Sequence, residues 1–253
     1  MLKTLNSFDI TKPNIKPFYT TSNTEGYIYH DEENFYKLYR TNKSYLLERK
    51  ELKTNMLDGY SLDNVVLPKG KIKLNKKFRG IYTDYVKDSY PLYDFKCVNN
   101  KVNDFFMILD QASNTLKKIH EAQIVVSDLS FDNIIFDKNK NHYFIDFDSC
   151  SLNNVPGDKV PYITNRFVLS RCASYEIDYN YDRISFYLSL LYFIFNKEVH
   201  ELSIKEYDEV SEKIKTLKNI RKLVIKLKET ELKIPEVPYI NDYIEKETHI
   251  FTR

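Results

Sequence analysis

Three side chains that carry oxygen donors, Asp128, Asn133 and Asp146, lie between short apolar runs near the middle of this 253-residue chain. Asn133 comes just before the run "IIF", and Asp146 comes just after the run "HYFI". The polar stretch "DKNKN" between the two runs is typical of a turn, so the sequence predicts a β-hairpin. Because the ends of an antiparallel pair lie side by side, we expect Asn133 and Asp146 to come close together.

This arrangement favours phosphoryl transfer. Carboxylate and amide oxygens such as those of Asp146 and Asn133 are the ligands that Mg²⁺ prefers. Asp128 lies at the same end of the hairpin, where it can accept a proton or orient a hydroxyl group. Phosphoryl transfer needs little more than such positioning and charge neutralisation. The alternative is that these residues only form turns or caps, which is their usual role beside strands.

The first part of the chain contains a lysine suited to the same chemistry. The segment Gly26–Arg40 predicts two strands around the polar turn "DEEN", and Lys37 lies at the centre of the second strand. The segment Ser44–Leu57 then predicts a helix, with Ser44 as its N-cap. Its apolar residues recur at near-helical spacing and are expected to face the core: Tyr45, Leu52 and Met56.

The remainder of the chain predicts mostly helices. Lys101–Glu121 has a strong helical pattern, whose apolar stripe consists of Phe105, Ile108, Leu109, Ala112, Leu116 and Ile119. Asp182–Phe195 is typical of a buried helix, and Leu202–Leu232 of charged amphipathic helix. A β-rich first third and a helical remainder predict an α+β fold with two lobes, residues 1–86 and residues 87–253, and a cleft between them.

The segments "VSDLSFDN" and "DFD" resemble the catalytic core of the protein-kinase-like superfamily, and among its members a small, divergent bacterial or phage-type Ser/Thr kinase. In that family a helix is followed by H-R-D-L-x-x-x-x-N, a hairpin and D-F-G. The resemblance covers roughly residues 22–200 and implies a bilobal fold that binds ATP and Mg²⁺. It implies that Asp128 is the catalytic base and that Asn133 and Asp146 are the Mg²⁺ ligands.

The same resemblance assigns roles to the first lobe. It implies that Lys37 holds the α- and β-phosphates and that a carboxylate of the following helix holds Lys37. Two glutamates of that helix are candidates, and Glu48 is preferred to Glu51. The nucleotide-binding residues that it implies are Gly26 at the end of a glycine-rich loop, Ile28 over the adenine, Thr83 as gatekeeper, and the backbone of Asp84 and Val86. In the second lobe it implies that Asp182 supports the loop of Asp128.

Several residues depart from the family pattern. Gly26 is the one glycine in "SNTEG", and fewer glycines make close approach of the backbone to phosphates harder. Ser127 stands in place of the arginine, so we expect no activation by loop phosphorylation. Asp148 replaces the glycine of D-F-G and adds negative charge near the metal, as an extra ligand or as a hindrance. Ser130 replaces a lysine of Ser/Thr kinases, which resembles small-molecule kinases of the aminoglycoside and choline type.

Composition limits the classes of partner. A net charge of +2 gives no support for binding nucleic acid through bulk charge. The basic stretch Gly70–Arg79 could contact an acidic partner, but a strand and turn facing solvent explain it more simply. No apolar run reaches the length of a membrane span, and the first residues lack the apolar core of a signal peptide. The three cysteines, Cys97, Cys150 and Cys172, are scattered, which favours the reducing cytoplasm and no zinc site.

Three functions remain open from the sequence. The preferred one is an active ATP- and Mg²⁺-dependent kinase that acts on serine or threonine hydroxyls of a protein. The second is the same chemistry on a small-molecule hydroxyl. The third is a pseudokinase that serves as a binding module, which the poor glycine loop and Asp148 keep open. The presence of Lys37, Asp128, Asn133 and Asp146 favours an enzyme.

Overall fold

The computed structural model describes residues 2–9, 12, 14–18, 25–99, 101–157, 160–170, 176–229 and 234–246. Over these residues the chain is α+β, with a β-rich first part and a mostly helical second part, as predicted. Residues 22–24 of the predicted glycine loop and Cys172 lie outside the described residues.

The first part is a six-stranded sheet with the spatial order β1-β5-β6-β4-β3-β2. Its strands are β1 (Lys3–Leu5), β2 (Lys16–Pro17), β3 (Gly26–His30), β4 (Asn34–Tyr39), β5 (Gly70–Leu74) and β6 (Lys77–Asp84). The predicted pair of strands around a polar turn is therefore confirmed as β3 and β4. All the pairings are antiparallel except that of β1 with β5.

Strand β4 lies between β3 and β6, and this placement decides where Lys37 goes. Lys37 is opposite Ile28 on one side and Ile81 on the other, so the three side chains share one face of the sheet. Tyr36 and Tyr82 alternate to the other face, where both are buried. The strand thus presents a lysine to the interior face, where it is only 7% exposed.

Helix α1 (Ser44–Met56) covers that interior face, but not through the predicted apolar stripe. Tyr45 and Leu52 are exposed, and the buried residues of the helix are Leu47, Lys50, Lys53 and Thr54. The N-cap prediction is also wrong, because Lys43 is the N-cap residue and Ser44 is already helical. The buried face is cationic because α1 packs over the segment that contains the carboxylate of Asp148.

The second part is built on α3 (Val102–Glu121), whose predicted apolar stripe is buried at all six positions. The predicted hairpin is confirmed as β9 (Ile134–Asp137) and β10 (His142–Phe144), with Phe144 opposite Ile134. The other strands are β7 (Ser89–Pro91), which extends the hairpin through β9, and β8 (Ile124–Val125) paired with β11 (Ser151–Leu152).

The remaining helices complete the core around the hairpin. They are α2 (Phe95–Val98), α4 (Tyr162–Leu169), α5 (Tyr179–Phe195), α6 (Ile204–Ser211) and α7 (Lys215–Glu229). Helix α5 confirms the predicted buried helix, and the predicted charged helix is divided into α6 and α7. None of the described helices has both the length and the apolar character needed to cross a bilayer.

Candidate functional site

The loop that carries Asp128 is held in place by one buried carboxylate. Asp182 of α5 is fully buried and accepts hydrogen bonds from the backbone amides of Val126 at 2.6 Å and Ser127 at 2.9 Å. His120 Nε2 lies 3.0 Å from the same carboxylate. As predicted, Asp182 therefore supports the Asp128 loop, because charge-assisted bonds to two successive amides fix its backbone.

The loop adopts a tight conformation just before Asp128. Ser127 has a φ of 68°, which is uncommon for a residue with a side chain. Gly157 packs directly on it, and a Cβ at position 157 would lie 2.4 Å from Ser127 Oγ. Asp128 itself is only 5% exposed. The bend and the packing of Gly157 together set the direction in which the chain enters Asp128.

Asn133 joins the Asp128 loop to the hairpin. Its Nδ2 donates to the Asp128 carbonyl at 2.8 Å, and its own carbonyl accepts from the amide of Ile145 at 3.0 Å. The second bond closes the hairpin beside Asp146, as the sequence predicted. Because Nδ2 is committed to the Asp128 carbonyl, the amide presents Oδ1 as its other polar atom. Asp146 has a φ of 66° and a ψ of 46°, so the chain turns sharply there.

Lys37 connects the first sheet to this hairpin. Its Nζ donates to Asp146 Oδ1 at 2.6 Å and to Asp148 Oδ1 at 3.1 Å, and lies 3.6 Å from Glu25 Oε2. Burial alone would lower the pKa of Lys37, but Asp146, Asp148 and Glu25 outweigh it and raise the pKa. Lys37 is therefore a buried ammonium group that keeps its charge. Of the four residues expected to carry the chemistry, Lys37 thus contacts Asp146 directly, and Asn133 is bonded to the backbone of Asp128.

Asp148, like Asp182, is a fully buried charge of the site. Its side chain is fully buried, and its carboxylate contacts both Lys37 and Lys50. Burial opposes ionisation of Asp148, but the two lysines outweigh burial and hold its pKa below the usual value. Burial, followed by the nearby Asp148 carboxylate, raises the pKa of Asp146. The lysines therefore stabilise the ionised form of Asp148 more than that of Asp146.

The predicted partnership between Lys37 and Glu48 is wrong in this structure. Glu48 is exposed, and among the described residues the carboxylates within 4.0 Å of Lys37 Nζ are Glu25, Asp146 and Asp148. The inward position of α1 is occupied by Lys50, which is two residues, or about 200° of helix rotation, from Glu48. Glu51 faces strand β5, 3.0 Å from Lys73 and 3.5 Å from Lys71.

The residues predicted to bind the nucleotide lie along β3 and β6. Gly26 begins β3, and a Cβ there would lie 2.7 Å from the carbonyl of Leu38, so the close approach of β4 is sufficient to require glycine. Ile28 is buried opposite Lys37. Thr83 and Asp84 end β6, and the Val86 carbonyl accepts from Ser89 Oγ at 2.7 Å. Of these residues, Ile28 shares a sheet face with Lys37. Thr83 lies on the same face, because it is opposite Phe35, which is two residues before Lys37 on β4.

The oxygen donors of the site can contribute to a metal centre but cannot make one alone. No cluster of three or more His, Cys, Asp and Glu side chains suited to a metal ion occurs in the described part of the chain. Asp146 is 23% exposed at its side chain, and Asn133 is partly exposed beside it. One carboxylate and one amide fit a hard cation such as Mg²⁺ that obtains its other ligands from water and phosphate oxygens.

The sequence prediction missed three residues around Lys37: Glu25 and Asp148, which are carboxylate partners of Lys37, and Lys50, a second cation that contacts the same two carboxylates. The sequence did contain one signal, because a second acid in "DFD" that becomes buried needs a cation beyond Lys37. Comparisons with known proteins add no assignment. No protein-family model matches the chain, and a comparison with curated proteins found no match.

Proposed function

We propose that this chain is an ATP- and Mg²⁺-dependent phosphotransferase with a bilobal, protein-kinase-like fold, and that its acceptor is a serine or threonine hydroxyl of a protein. The observation that carries the proposal is the 2.6 Å contact between Lys37 and Asp146, two residues 109 positions apart in the chain. The family pattern requires these two residues at one site. Their local sequences give no other reason for a contact between them.

The organisation around this contact supports the same function. Lys37 belongs to the β-rich part, whereas Asp128, Asn133 and Asp146 belong to the part dominated by helices. A phosphotransferase needs an ammonium group for the phosphates, oxygen donors for the metal and a carboxylate near the acceptor hydroxyl. The chain holds these groups in a preorganised arrangement, and such preorganisation supplies much of the rate enhancement in this type of reaction.

Each residue has a distinct task in the proposed reaction. Lys37 binds the α- and β-phosphates through its buried ammonium group. Asp146 and Asn133 Oδ1 would hold Mg²⁺, which would supply positive charge to neutralise the phosphates. Asp128 orients the acceptor hydroxyl and accepts its proton late in the transfer. Asp182 holds the backbone of Val126 and Ser127 and thereby fixes the direction of Asp128.

ATP would lie between the two parts of the chain, near Ile28, Thr83, Asp84 and Val86. When bound, Mg·ATP supplies the phosphoryl group and the divalent charge. The chain supplies binding, orientation and proton acceptance. This chemistry also makes the cytoplasm, where ATP is abundant, the proposed location. We do not assign nucleic acid or a membrane a part in the reaction.

The decisive test is transfer of labelled γ-phosphate from Mg·ATP by purified protein added to a cell extract. Asp146→Ala should lower transfer at least about 100-fold and weaken Mg²⁺-dependent nucleotide binding, because it removes a metal ligand. Asp128→Ala should lower transfer about 100- to 10,000-fold but leave nucleotide binding within about threefold, because a general base acts after binding. Asp63→Ala, at an exposed turn position, is the matched control.

The destination of the label separates the remaining possibilities. Label on protein bands that disappears with Asp146→Ala supports the proposed protein kinase. Label confined to small molecules assigns the same chemistry to a small-molecule acceptor. Nucleotide binding without transfer above the Asp146→Ala background identifies a pseudokinase. Wild-type transfer rates in both active-site variants would refute the site assignment.

A further inference from the structure

Two buried lysines share the same two carboxylate oxygens at the centre of the site. Asp148 Oδ2 lies 3.1 Å from Lys37 Nζ and 3.4 Å from Lys50 Nζ. Glu25 Oε2 lies 3.6 Å from Lys37 Nζ and 3.1 Å from Lys50 Nζ. Each oxygen therefore bridges the two ammonium groups. Without a bridging anion, the two positive charges would repel one another in this buried site.

The two bridging carboxylates differ in how firmly they are fixed. The Asp148 side chain has no exposed surface and belongs to the turn Phe147–Ser149, whose Phe147 is buried in the core. The Glu25 side chain is 29% exposed and comes from the residue directly before β3. Asp148 is thus an internal anchor, whereas Glu25 bridges the lysines from the side that solvent can reach.

The position of Glu25 marks a place where the protein already binds an anionic oxygen. Both ammonium groups can donate to one oxygen there, and a phosphate oxygen makes the same charge-assisted bonds as a carboxylate oxygen. Because Glu25 is partly exposed, it can be displaced at smaller cost than Asp148. When Glu25 is displaced, the formal charges of Lys37, Lys50, Asp148 and Asp146 sum to zero, so an incoming phosphate that carries Mg²⁺ takes over the negative charge that Glu25 supplied.

We propose that Lys37 and Lys50 form a two-lysine cradle for the phosphates of the nucleotide, with Asp148 holding both lysines from inside and Glu25 covering them until a phosphate group replaces it. Asp148 thereby performs the positioning task that the family pattern assigns to a helix glutamate, and the helix contributes a second cation instead. This inference rests on the proposed function, and it adds Lys50, Asp148 and Glu25 to the site.

Binding of Mg·ATP and of inorganic triphosphate by the full chain, measured by titration calorimetry, tests the cradle. Lys50→Met should weaken both affinities at least about 10-fold, because a charge-assisted contact to phosphate is lost. Glu25→Gln should strengthen both affinities about threefold or more, because the competing charge is removed. Lys43→Met, at an exposed position beside the same helix, should change neither. The same ordering in KM for ATP, with a smaller change in kcat, distinguishes phosphate binding from a purely structural role.

A charge exchange tests the role of Asp148. Asp148→Gly leaves two lysines without their internal anion, and Lys50→Glu places a third acid beside Asp148 and Glu25. Each single variant should lose at least about 10-fold in affinity for Mg·ATP. The double variant restores a lysine–carboxylate pair between β4 and α1 but lacks the second cation, so its affinity should exceed that of either single variant and approach that of Lys50→Met. Additive losses in the double variant would overturn the proposed role.

Failure of this inference can be told apart from failure of the proposed function. If the wild-type chain binds neither Mg·ATP nor triphosphate, both proposals fall. If it binds them and Lys50→Met behaves like Lys43→Met, the phosphotransferase site stands and the two-lysine cradle is wrong. Lys50→Arg and Glu25→Gln preserve size and packing, so they decide the question even where Lys50→Met or Asp148→Gly does not fold. Lys50→Arg should keep its affinity within about threefold, and an unchanged or weaker affinity of Glu25→Gln would contradict the covering role.

Discussion

Asp182 and Lys37 are both buried charged side chains of the candidate site, but their partners come from different sources. Asp182 is satisfied by the backbone amides of one short loop, Val126 and Ser127, and by the ring of His120. Lys37 is satisfied by side chains from two other segments, Glu25 on one side and Asp146 and Asp148 on the other. The first arrangement is a rigid support, whereas the second is a network whose members can exchange partners.

This difference has a consequence for how the two regions respond to substitution. Backbone amides cannot move away from Asp182 without unfolding the loop, so a loss there is a loss of structure. The lysines and carboxylates of the other region can redistribute their contacts, so a loss there should alter affinity and rate more than stability. The expected loss in the free energy of unfolding is therefore largest at Asp182 and smallest at the exposed glutamates of α1.

Asp182→Ala should have the largest effect on stability. It leaves two buried backbone amides and His120 without their carboxylate partner, at a cost of about 4 kcal/mol in the free energy of unfolding. Asp182→Asn keeps one acceptor oxygen and should lose about half as much. Denaturant unfolding monitored by circular dichroism gives both values.

The matched control for this prediction lies on the same helix. Asp178 caps α5 by accepting from the amide of Tyr181 at 2.8 Å, so Asp178→Ala should cost about 1 kcal/mol. A loss below 1 kcal/mol in Asp182→Ala would show that the loop finds other partners. The contrast between a rigid support and an exchangeable network would then disappear.

The regions of the site also differ in how well the sequence predicts them. The hairpin and the proximity of Asn133 to Asp146 follow from strand pairing, whereas the support from Asp182 was implied by the family resemblance, and all three are present. Helix α3 was predicted correctly because the residues that it buries are apolar and recur at helical spacing in the sequence.

Helix α1 was predicted in extent but not in orientation. Its apolar residues Tyr45 and Leu52 are exposed, whereas Lys50 and Lys53 are buried. The rule that apolar residues face the core fails here because the surface under α1 includes the buried carboxylate of Asp148, which attracts cations. Such a pairing joins residues 98 positions apart, and no local pattern specifies it.

His142 of the hairpin is a second rigidly held polar group, and it should make the free energy of unfolding depend on pH. His142 is 4% exposed, and its Nε2 lies 2.8 Å from Thr115 Oγ1. Burial lowers the pKa of His142 to about 4. Because the unfolded chain binds this proton near pH 6.5, the unfolded state is protonated first as the pH falls.

The stabilising effect of neutral His142 is therefore complete above about pH 6.5 and is lost as the pH falls toward 4. Between these limits it should account for a decrease of about 3 kcal/mol in the free energy of unfolding. His142→Gln does not titrate in this range, so the difference between wild type and variant isolates the histidine from the carboxylates. Parallel pH profiles for the two proteins would contradict the prediction.

The smallest effects are expected at the two glutamates of α1 that the family pattern suggested as partners of Lys37. Glu48→Ala should change the free energy of unfolding by no more than about 0.5 kcal/mol, because the side chain is exposed. Glu51→Ala should cost up to about 1 kcal/mol, because Glu51 pairs with Lys71 and Lys73 at a partly exposed position. Neither substitution should lower phosphate transfer or nucleotide affinity by more than about twofold.

These small effects matter because they distinguish two descriptions of the working site. If Asp148 anchors Lys37, the glutamates of α1 are dispensable and their removal is silent in the transfer assay. If Glu48→Ala lowered transfer 10-fold or more, α1 would have to rotate by about 160° in the active state to bring Glu48 to Lys37. That rotation would move Lys50 away from Asp148 and leave the buried Asp148 carboxylate with one lysine fewer. The result would therefore indicate that α1 moves during catalysis and that Asp148 is not a fixed anchor for Lys37.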